Sequence, residues 1–353
     1  MSESRETTAP KEPYRILALD GGGLRGIVSA RVLQHIESDF PEFLGAADLV
    51  AGTSAGAINT VAIGLGINGE KLVTLYQDQA ETICGRSIWD RLATGDGIYA
   101  AAIPTERRLK GIVNGLENGT GKPVTNVKLG DIQRKILITS FQLDSHNPIC
   151  RSESGPRRWK AKIFHNFKDD GDGGPNPDLA QKAVDVVMRS SAAPTEFPIY
   201  QGFTDGALLA NNPVMCAIAQ ALHPSLGCVK PPQHIVALSI GTGAAPAQYL
   251  HQRSSSWGYI QWAQYSNLFV DAFLDVADFQ ANQILGRDRY FRVNPVLSGN
   301  SSSSDPAAEP FLVESVDKYF GGEPGHGKSD EWTDLKKWLG CNWSVNQFLT
   351  QPE

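Results

Sequence analysis

Cysteine is scarce and unpaired: Cys84, Cys150, Cys216, Cys228 and Cys341 are scattered over 353 residues, odd in number and without a C-x-x-C pair. This excludes a disulfide scaffold and a zinc ribbon and suits reduced thiols in a cytoplasmic protein. No histidine, cysteine or acidic group has ligand spacing, so neither a metal site nor a cofactor is expected. Basic charge is also short: the formal net charge is −6, and from Ser301 onward nine acids face four lysines, a net of −5 that leaves about −1 for the first 300 residues. A general nucleic-acid binder is more basic than this, and no nucleic-acid partner is expected. The opening MSESRETTAPKEP has no apolar stretch of the kind a secretory signal requires, and reads as a flexible tail over residues 1–13. One uncharged run, Leu49 to Ile67, has the length of a membrane span, but four glycines, Thr53, Ser54, Asn59 and Thr60 dilute it. A strand, sharp turn and helix inside a doubly covered α/β core reads the same way.

What is present is core material, 41% apolar residues, together with 35 glycines that follow no three-residue period and therefore serve turns. Tyr14 to Leu19 is a β-prone run ended by Asp20 and three glycines, and apolar positions at helical spacing follow from Ile27 to Ile36. The pattern returns as a strand at Asp48 to Ala51, the turn GTSAG, and a helix from Ala55 to about Leu65. Two such β-loop-α units predict a parallel sheet with helices on its faces. Further strands are expected at Lys135–Phe141, Arg158–Phe164, Tyr200–Thr204, His234–Ile240 and the RYFRVNP segment. Helices are expected over Leu179–Ser190, from Asn212-Pro213 to Leu222, and from Trp257 to Leu285. Gly111 to Pro123, with four glycines, and Asp169 to Pro177 (DDGDGGPNP) read as insertions or linkers, the second too acidic and glycine-rich to pack.

The main chemical signal is Gly52-Thr53-Ser54-Ala55-Gly56, a G-x-S-x-G between an expected strand and an expected helix. The glycines leave room for a strained strand-to-helix turn that lifts the serine hydroxyl clear, beside the positive end of the following helix. A serine nucleophile needs a base, and the carbonyl it attacks needs donors for the developing oxyanion. Gly21, Gly22, Gly23, Leu24, Arg25 and Gly26, after the first strand, can supply backbone N–H groups without side-chain obstruction, with Arg25 anchoring the loop or an anionic substrate. Gly21, Gly23 and Gly26 also satisfy a dinucleotide fingerprint. Its ribose-binding acid should end a second strand, however, whereas Asp39 and Glu42 flank Phe40-Pro41 where no strand is evident.

DGGGLRG, GTSAG some thirty residues on, and Asp205-Gly206-Ala207 far downstream occur in the order found in patatin-like phospholipases, and from about Tyr14 to Gly243 the chain resembles that family. The resemblance implies a three-layer α/β/α sandwich with a central, mostly parallel sheet over 14–245, and the pattern beyond it reads as a mostly helical C-terminal region over 246–353 packed on that core. It also implies a Ser54–Asp205 dyad without a catalytic histidine, an oxyanion hole in the Gly21–Gly26 loop, and phospholipid or lysophospholipid substrates met at a membrane surface. Some bacterial members are antiviral effectors switched on by cyclic dinucleotides, so a small nucleotide activator and a homo-oligomer enter as further expectations. By its residues alone an Asp-Gly pair is most often a turn. The alternatives are a Ser-Asp-His triad using His223, His234, His251 or His326, and a non-catalytic module whose glycine loop holds a nucleotide. Two surfaces complete the reading: a basic stripe of Arg151, Arg157, Arg158, Lys160 and Lys162, read first as a solvated strand face, and five tryptophans after residue 256, read first as core.

Overall fold

A computed structural model describes residues 12–85, 100–101, 103–149, 155–169, 174–223, 231–244, 258, 267–322 and 330–343. Its first β-loop-α unit is β1 (Tyr14–Leu19) and α1 (Gly26–Asp39), and a one-turn α2 (Phe43–Ala46) leads to β2 (Leu49–Thr53) and α3 (Ala55–Gly64). After α4 (Gly69–Cys84) and α5 (Thr105–Thr120) come β3 (Lys135–Gln142), β4 (Lys160–His165), α6 (Ala183–Ser190), β5 (Phe203–Asp205), a one-turn α7 (Ala207–Ala210), α8 (Val214–Leu222) and β6 (Ile235–Ile240). The chain closes with α9 (Asn267–Leu285), β7 (Tyr290–Val293), α10 (Glu309–Phe320) and α11 (Glu331–Asn342). The strands form one sheet in the order β4-β3-β2-β1-β6-β7, with β5 also paired to β3. β1, β2, β3, β6 and β7 are mutually parallel, while β4 and β5 run antiparallel to β3.

Successive side chains of a strand point to opposite faces, and here both faces are dry. Leu17 and Leu19 of β1, with Val50, Ile136, Ile138 and Leu238, face a core completed by α1, α3, α4, α5, α6, α10 and α11. Tyr14, Ile16 and Ala18, with Leu49, Ala51, Leu137 and Ala237, face a second core covered by α8 and α9. The result is a three-layer α/β/α sandwich with a mostly parallel central sheet. Both cores draw on residues on either side of position 245, since β7 extends the sheet beside β6 and α9 covers one face of it. Trp338 and Trp343 are buried in the first core, and the Trp343 ring stacks on Phe43.

Three elements depart from the sequence reading. The stretch starting at Gly111 is not a linker: it is the second half of α5, with Gly121 in left-handed conformation (φ 68°) ending the helix. Gly111, Gly115 and Gly119 are four apart and share one face, where an added Cβ would stand 2.8 Å from Ile83, 2.6 Å from Leu75 and 2.6 Å from Ile67. The glycines let two backbones approach; they do not loosen the chain. The helix expected from Leu179 begins only at Ala183, because Gln181 and Lys182 are extended after a 3-10 turn at Pro177–Ala180. Around Asp169–Pro177 the described ends do pack: buried Asn176 donates to the carbonyls of His165 and Phe167, both at 2.8 Å, while 170–173 lie outside the described residues.

Candidate active site

Strand register assembles the site. Leu19 of β1 pairs with Gly52 of β2 and with Ile240 of β6, so the turns after these three parallel strands leave the sheet at one level. They are the Gly21–Gly26 loop, the Ser54 elbow and Gly241-Thr242-Gly243. On the other side Thr53 pairs with Thr139, which sets Ser54 abreast of Ser140, and Ser140 pairs with Asp205. A 151-residue separation in sequence thereby becomes a step across one strand, and Ser54 Oγ donates to Asp205 Oδ2 at 2.8 Å.

Ser54 sits between β2 and α3 at φ 55°, ψ −116°, a conformation disfavoured for a residue with a Cβ, and its N–H donates to Ser190 Oγ at 2.9 Å. The elbow needs its glycines for space: a Cβ on Gly52 would lie 2.1 Å from the Gly56 carbonyl oxygen, and one on Gly56 would lie 2.1 Å from that of Leu19. Thr53 Oγ1 ties the turn to the Ala210 carbonyl at 2.6 Å. Asp205 is 3% exposed, and its other oxygen accepts from the Ala207 N–H at 2.7 Å across the Asp-Gly-Ala turn. Burial pushes its carboxyl up to about 6, against the opposing hydrogen bonds from Ala207 and Ser54 and the field of Arg108.

Within the glycine loop, the N–H groups of Gly21, Leu24, Arg25 and Gly26 are engaged, by Asn211, Ser303, Gly22 and the loop's own turn respectively. Gly22 and Gly23 donate to no described residue. The loop is held from outside: Thr242 Oγ1 donates to the Gly21 carbonyl at 2.9 Å, and buried Asp20 forms an ion pair with Arg292 (Nη2 to Oδ2, 2.5 Å). Arg292, on β7, lies 272 positions from Asp20 and carried no motif to announce it. Arg108 is the other residue that sequence reasoning missed. It is 2% exposed on α5, its guanidinium lies 4.0 Å from the Phe197 ring centroid, and it donates to Ser191 Oγ. Burial pushes it down to about 10, still a cation at neutral pH.

Two adjoining cavities open here. One, of about 530 Å³, contains Ser54 and Asp205 and is walled by Ile58, Ala80, Ile83, Phe197 and Leu208. The other, of about 660 Å³, is polar, with Asp20, Asp271, Asp275, Asp278, Arg292 and Asn294 on its walls; Arg25, Asn211, Val270 and Ser303 border both. No histidine lines either cavity among the described residues. His223 follows α8, His234 precedes β6 at the end away from the glycine loop, and His251 and His326 lie outside the described residues. The described residues hold no group of His, Cys, Asp and Glu fit for a metal ion. In the basic stripe, Arg157 pairs with Asp144 at the surface, whereas Lys162 is 18% exposed and pairs with buried Asp178, so that end of the stripe is not a solvated face; Arg151 lies outside the described residues.

By its fold and by what its cavity contains, the protein falls in the class of α/β/α sandwiches that hold a serine hydroxyl against a buried carboxylate at the strand ends. Comparison narrows the class, because the Patatin model, described as patatin-like phospholipase, matches residues 17–218, and the chain belongs to that family. Protein teg of Priestia megaterium is 27% identical over 333 residues, spanning 86% of this chain and 94% of its own length. The cGAMP-activated phospholipase of Pseudomonas aeruginosa is 27% identical over 305 residues, spanning 84% and 82%. Among solved structures, VipD from Legionella pneumophila aligns with a TM-score of 0.44 and 14% identity, over 95% of this chain and 68% of that one.

Proposed function

We propose that the protein hydrolyses fatty-acyl esters of phospholipids or lysophospholipids with Ser54 as nucleophile and Asp205 as its base. The observation that carries this reading is the 2.8 Å hydrogen bond from Ser54 Oγ to a buried carboxylate on the wall of an apolar cavity. A carboxylate near its ordinary pKa is a poor base, but one raised to about 6 is both ionised at neutral pH and able to take a proton. As Ser54 Oγ bonds to the ester carbonyl carbon, its proton passes to Asp205, and the carbonyl oxygen becomes an oxyanion received by the Gly22 and Gly23 N–H groups. Collapse breaks the ester bond, the leaving alkoxide takes the proton from Asp205, and the fatty acid remains on Ser54. Asp205 then takes a proton from water as the water attacks the acyl-enzyme, and returns it to Ser54 Oγ when the fatty acid leaves.

The apolar cavity suits the acyl chain and the polar one the headgroup. Substrate is met at a bilayer surface, a reading supported by the exposed Phe273, Val276 and Phe279 of α9, the helix whose Val270 borders both cavities. No described helix is long and apolar enough to cross a membrane. The cGAMP-activated phospholipase of Pseudomonas aeruginosa supports one further element, activation by a small nucleotide. Hydrolysis unchanged across a panel of cyclic dinucleotides would remove that element alone.

The test is covalent labelling by a fluorophosphonate, with mass spectrometry of products from mixed natural lipids. Wild type should be labelled and should release fatty acids, and Ser54→Ala should do neither. Labelling or product release that survives Ser54→Ala would overturn the proposal.

A further inference from the structure

We infer that Arg108 is a positioning residue of this reaction: from a buried seat beside the dyad, its fixed positive charge keeps Asp205 an anion at rest and offsets the oxyanion once the Ser54 proton has moved. The inference rests on the reading of Ser54 and Asp205 given above and goes beyond it. A guanidinium taken out of water is costly unless an anion compensates it. Arg108 has no carboxylate in ion-pair contact among the described residues; it has the face of Phe197 and one hydroxyl, Ser191 Oγ. Ser191 Oγ is itself fixed by donating to the Val187 carbonyl at 2.5 Å, and the neighbouring Ser190 hydroxyl holds the N–H of the nucleophile. The end of α6 thus seats the cation and the elbow together.

Three groups act on the Arg108 charge, Asp205 most strongly, then Cys84 and Tyr200. Tyr200 donates its hydroxyl to Asp185 and titrates well above its ordinary range, so Asp205 is the one carboxylate of the three. Conversely, Asp205 is held by the Ser54 hydroxyl and the Ala207 N–H and feels the charge of Arg108, which lines the same cavity, as do Arg25 and Glu196. The charge count explains the arrangement. At rest, one carboxylate and one guanidinium sum to zero; after proton transfer, a neutral acid, an oxyanion and the same guanidinium again sum to zero. Proton transfer leaves the sum unchanged, and the guanidinium holds it at zero rather than −1 for these groups through to the tetrahedral intermediate. Separation matters as much as sign. A contact ion pair lowers a carboxyl by about 1–3 units and would leave a weak base, whereas a cation held off by Phe197 and Ser191 steadies the anion without quenching it.

The experiment compares Arg108→Met, Arg108→Gln and Arg108→Lys in the full chain. It reads kcat/KM against pH on a soluble p-nitrophenyl ester, fluorophosphonate labelling of Ser54, and Tm. Arg108→Met removes the charge and keeps an apolar chain of similar length, Arg108→Gln removes it and keeps a donor for Ser191, and the Tm of each shows which of the two charge-free variants is folded for the comparison. Without the charge Asp205 holds its proton to higher pH. The acid limb of the profile should move up by about one pH unit or more in the Met and Gln variants, and activity below the limb, at about pH 5, should fall about tenfold. Arg108→Lys should keep the limb near that of wild type. A folded Arg108→Met whose limb stays in place, or an Arg108→Lys whose limb moves as far as that of Arg108→Met, overturns the inference. A purely structural role would lower Tm and activity at every pH without moving the limb. Wild-type labelling that does not depend on Ser54 would instead sink the underlying functional reading.

Discussion

The shift that fits Asp205 for the proposed role of base works against stability in the same measure. Its carboxyl is ordinary in the unfolded chain, near 3.8, and is raised to about 6 when folded. Between those values the folded state binds the extra proton, so stability falls as pH rises through this window, and the cost is fully present above about pH 6. Asp205→Asn keeps an acceptor for the Ala207 N–H and a donor to Ser54, yet removes the buried charge. We expect it to lower hydrolysis by about 10²–10⁴-fold, as removal of a general base does. The same variant should be more stable than wild type at pH 7.5 by about 1–3 kcal/mol, at about 1.4 kcal/mol per unit of pKa shift. The gap should close towards pH 4, as denaturant titrations at the two pH values would measure. An Asn variant that is less stable at both would mean that Asp205 is held by its hydrogen bonds rather than strained by its charge. At this scale the strained turn at Ser54 was legible, because a G-x-S-x-G between a strand and a helix leaves the room that such a turn needs. Asp205 was not legible from its own surroundings, since an Asp-Gly pair says only "turn" until strand register sets it beside Ser54. Arg108 and Arg292 lay in no motif at all, being chosen by what the fold puts opposite them.

The elements formed where the pattern is periodic and failed to announce themselves where glycine interrupts it. β1, β2 and β6 stand within a residue or so of the apolar runs that forecast them, because buried parallel strands need continuous apolar sequence. α5 did not, because glycine is the poorest ordinary helix former, and three of them at four-residue spacing imitate a linker. The same spacing is a groove: it aligns Gly111, Gly115 and Gly119 on one face, against Ile83, Leu75 and Ile67. Gly115→Val raises local helix propensity while forcing a branched side chain into Leu75, whose Cγ would lie 2.6 Å from the new Cβ. Overpacking should win, with a loss of about 1–3 kcal/mol in urea unfolding. Gly121→Ala, which meets nothing within 4 Å and has only its left-handed backbone to strain, should cost about 1 kcal/mol. If Gly115→Val is neutral or stabilising, the glycine face is not a close contact. Because α5 carries Arg108, a helix displaced by that substitution should also lose activity beyond its loss of stability.

The molecule as a whole is acidic, and that bears on how it can meet a lipid surface. With a net charge of −6, attraction to anionic headgroups would have to come from a local basic patch, and the one visible in the sequence is partly neutralised by Asp144 and Asp178. Apolar contact is the better-supported route. α9 has Ala277, Ala281 and Leu285 buried on the sheet side and acids on one flank, yet Phe273 is 46% exposed, Val276 50% and Phe279 64% on its outer side. A helix apolar on nearly all sides is one with something to bury against. Each phenylalanine that enters a bilayer contributes about 1.5–3 kcal/mol, enough for a few residues to hold a peripheral protein. We therefore expect binding to vesicles of neutral phosphatidylcholine that barely changes between low and high salt. The double variant Phe273→Ser, Phe279→Ser should lose about 3 kcal/mol or more of that binding. It should also lose hydrolysis of vesicle lipid while keeping hydrolysis of a soluble ester, since neither side chain borders the cavity that holds Ser54. Cosedimentation that survives the double variant, or that vanishes with salt in wild type, would return the basic stripe to consideration. Loss of the soluble-ester reaction together with vesicle binding would mean that the outer face of α9 shapes the cavity itself.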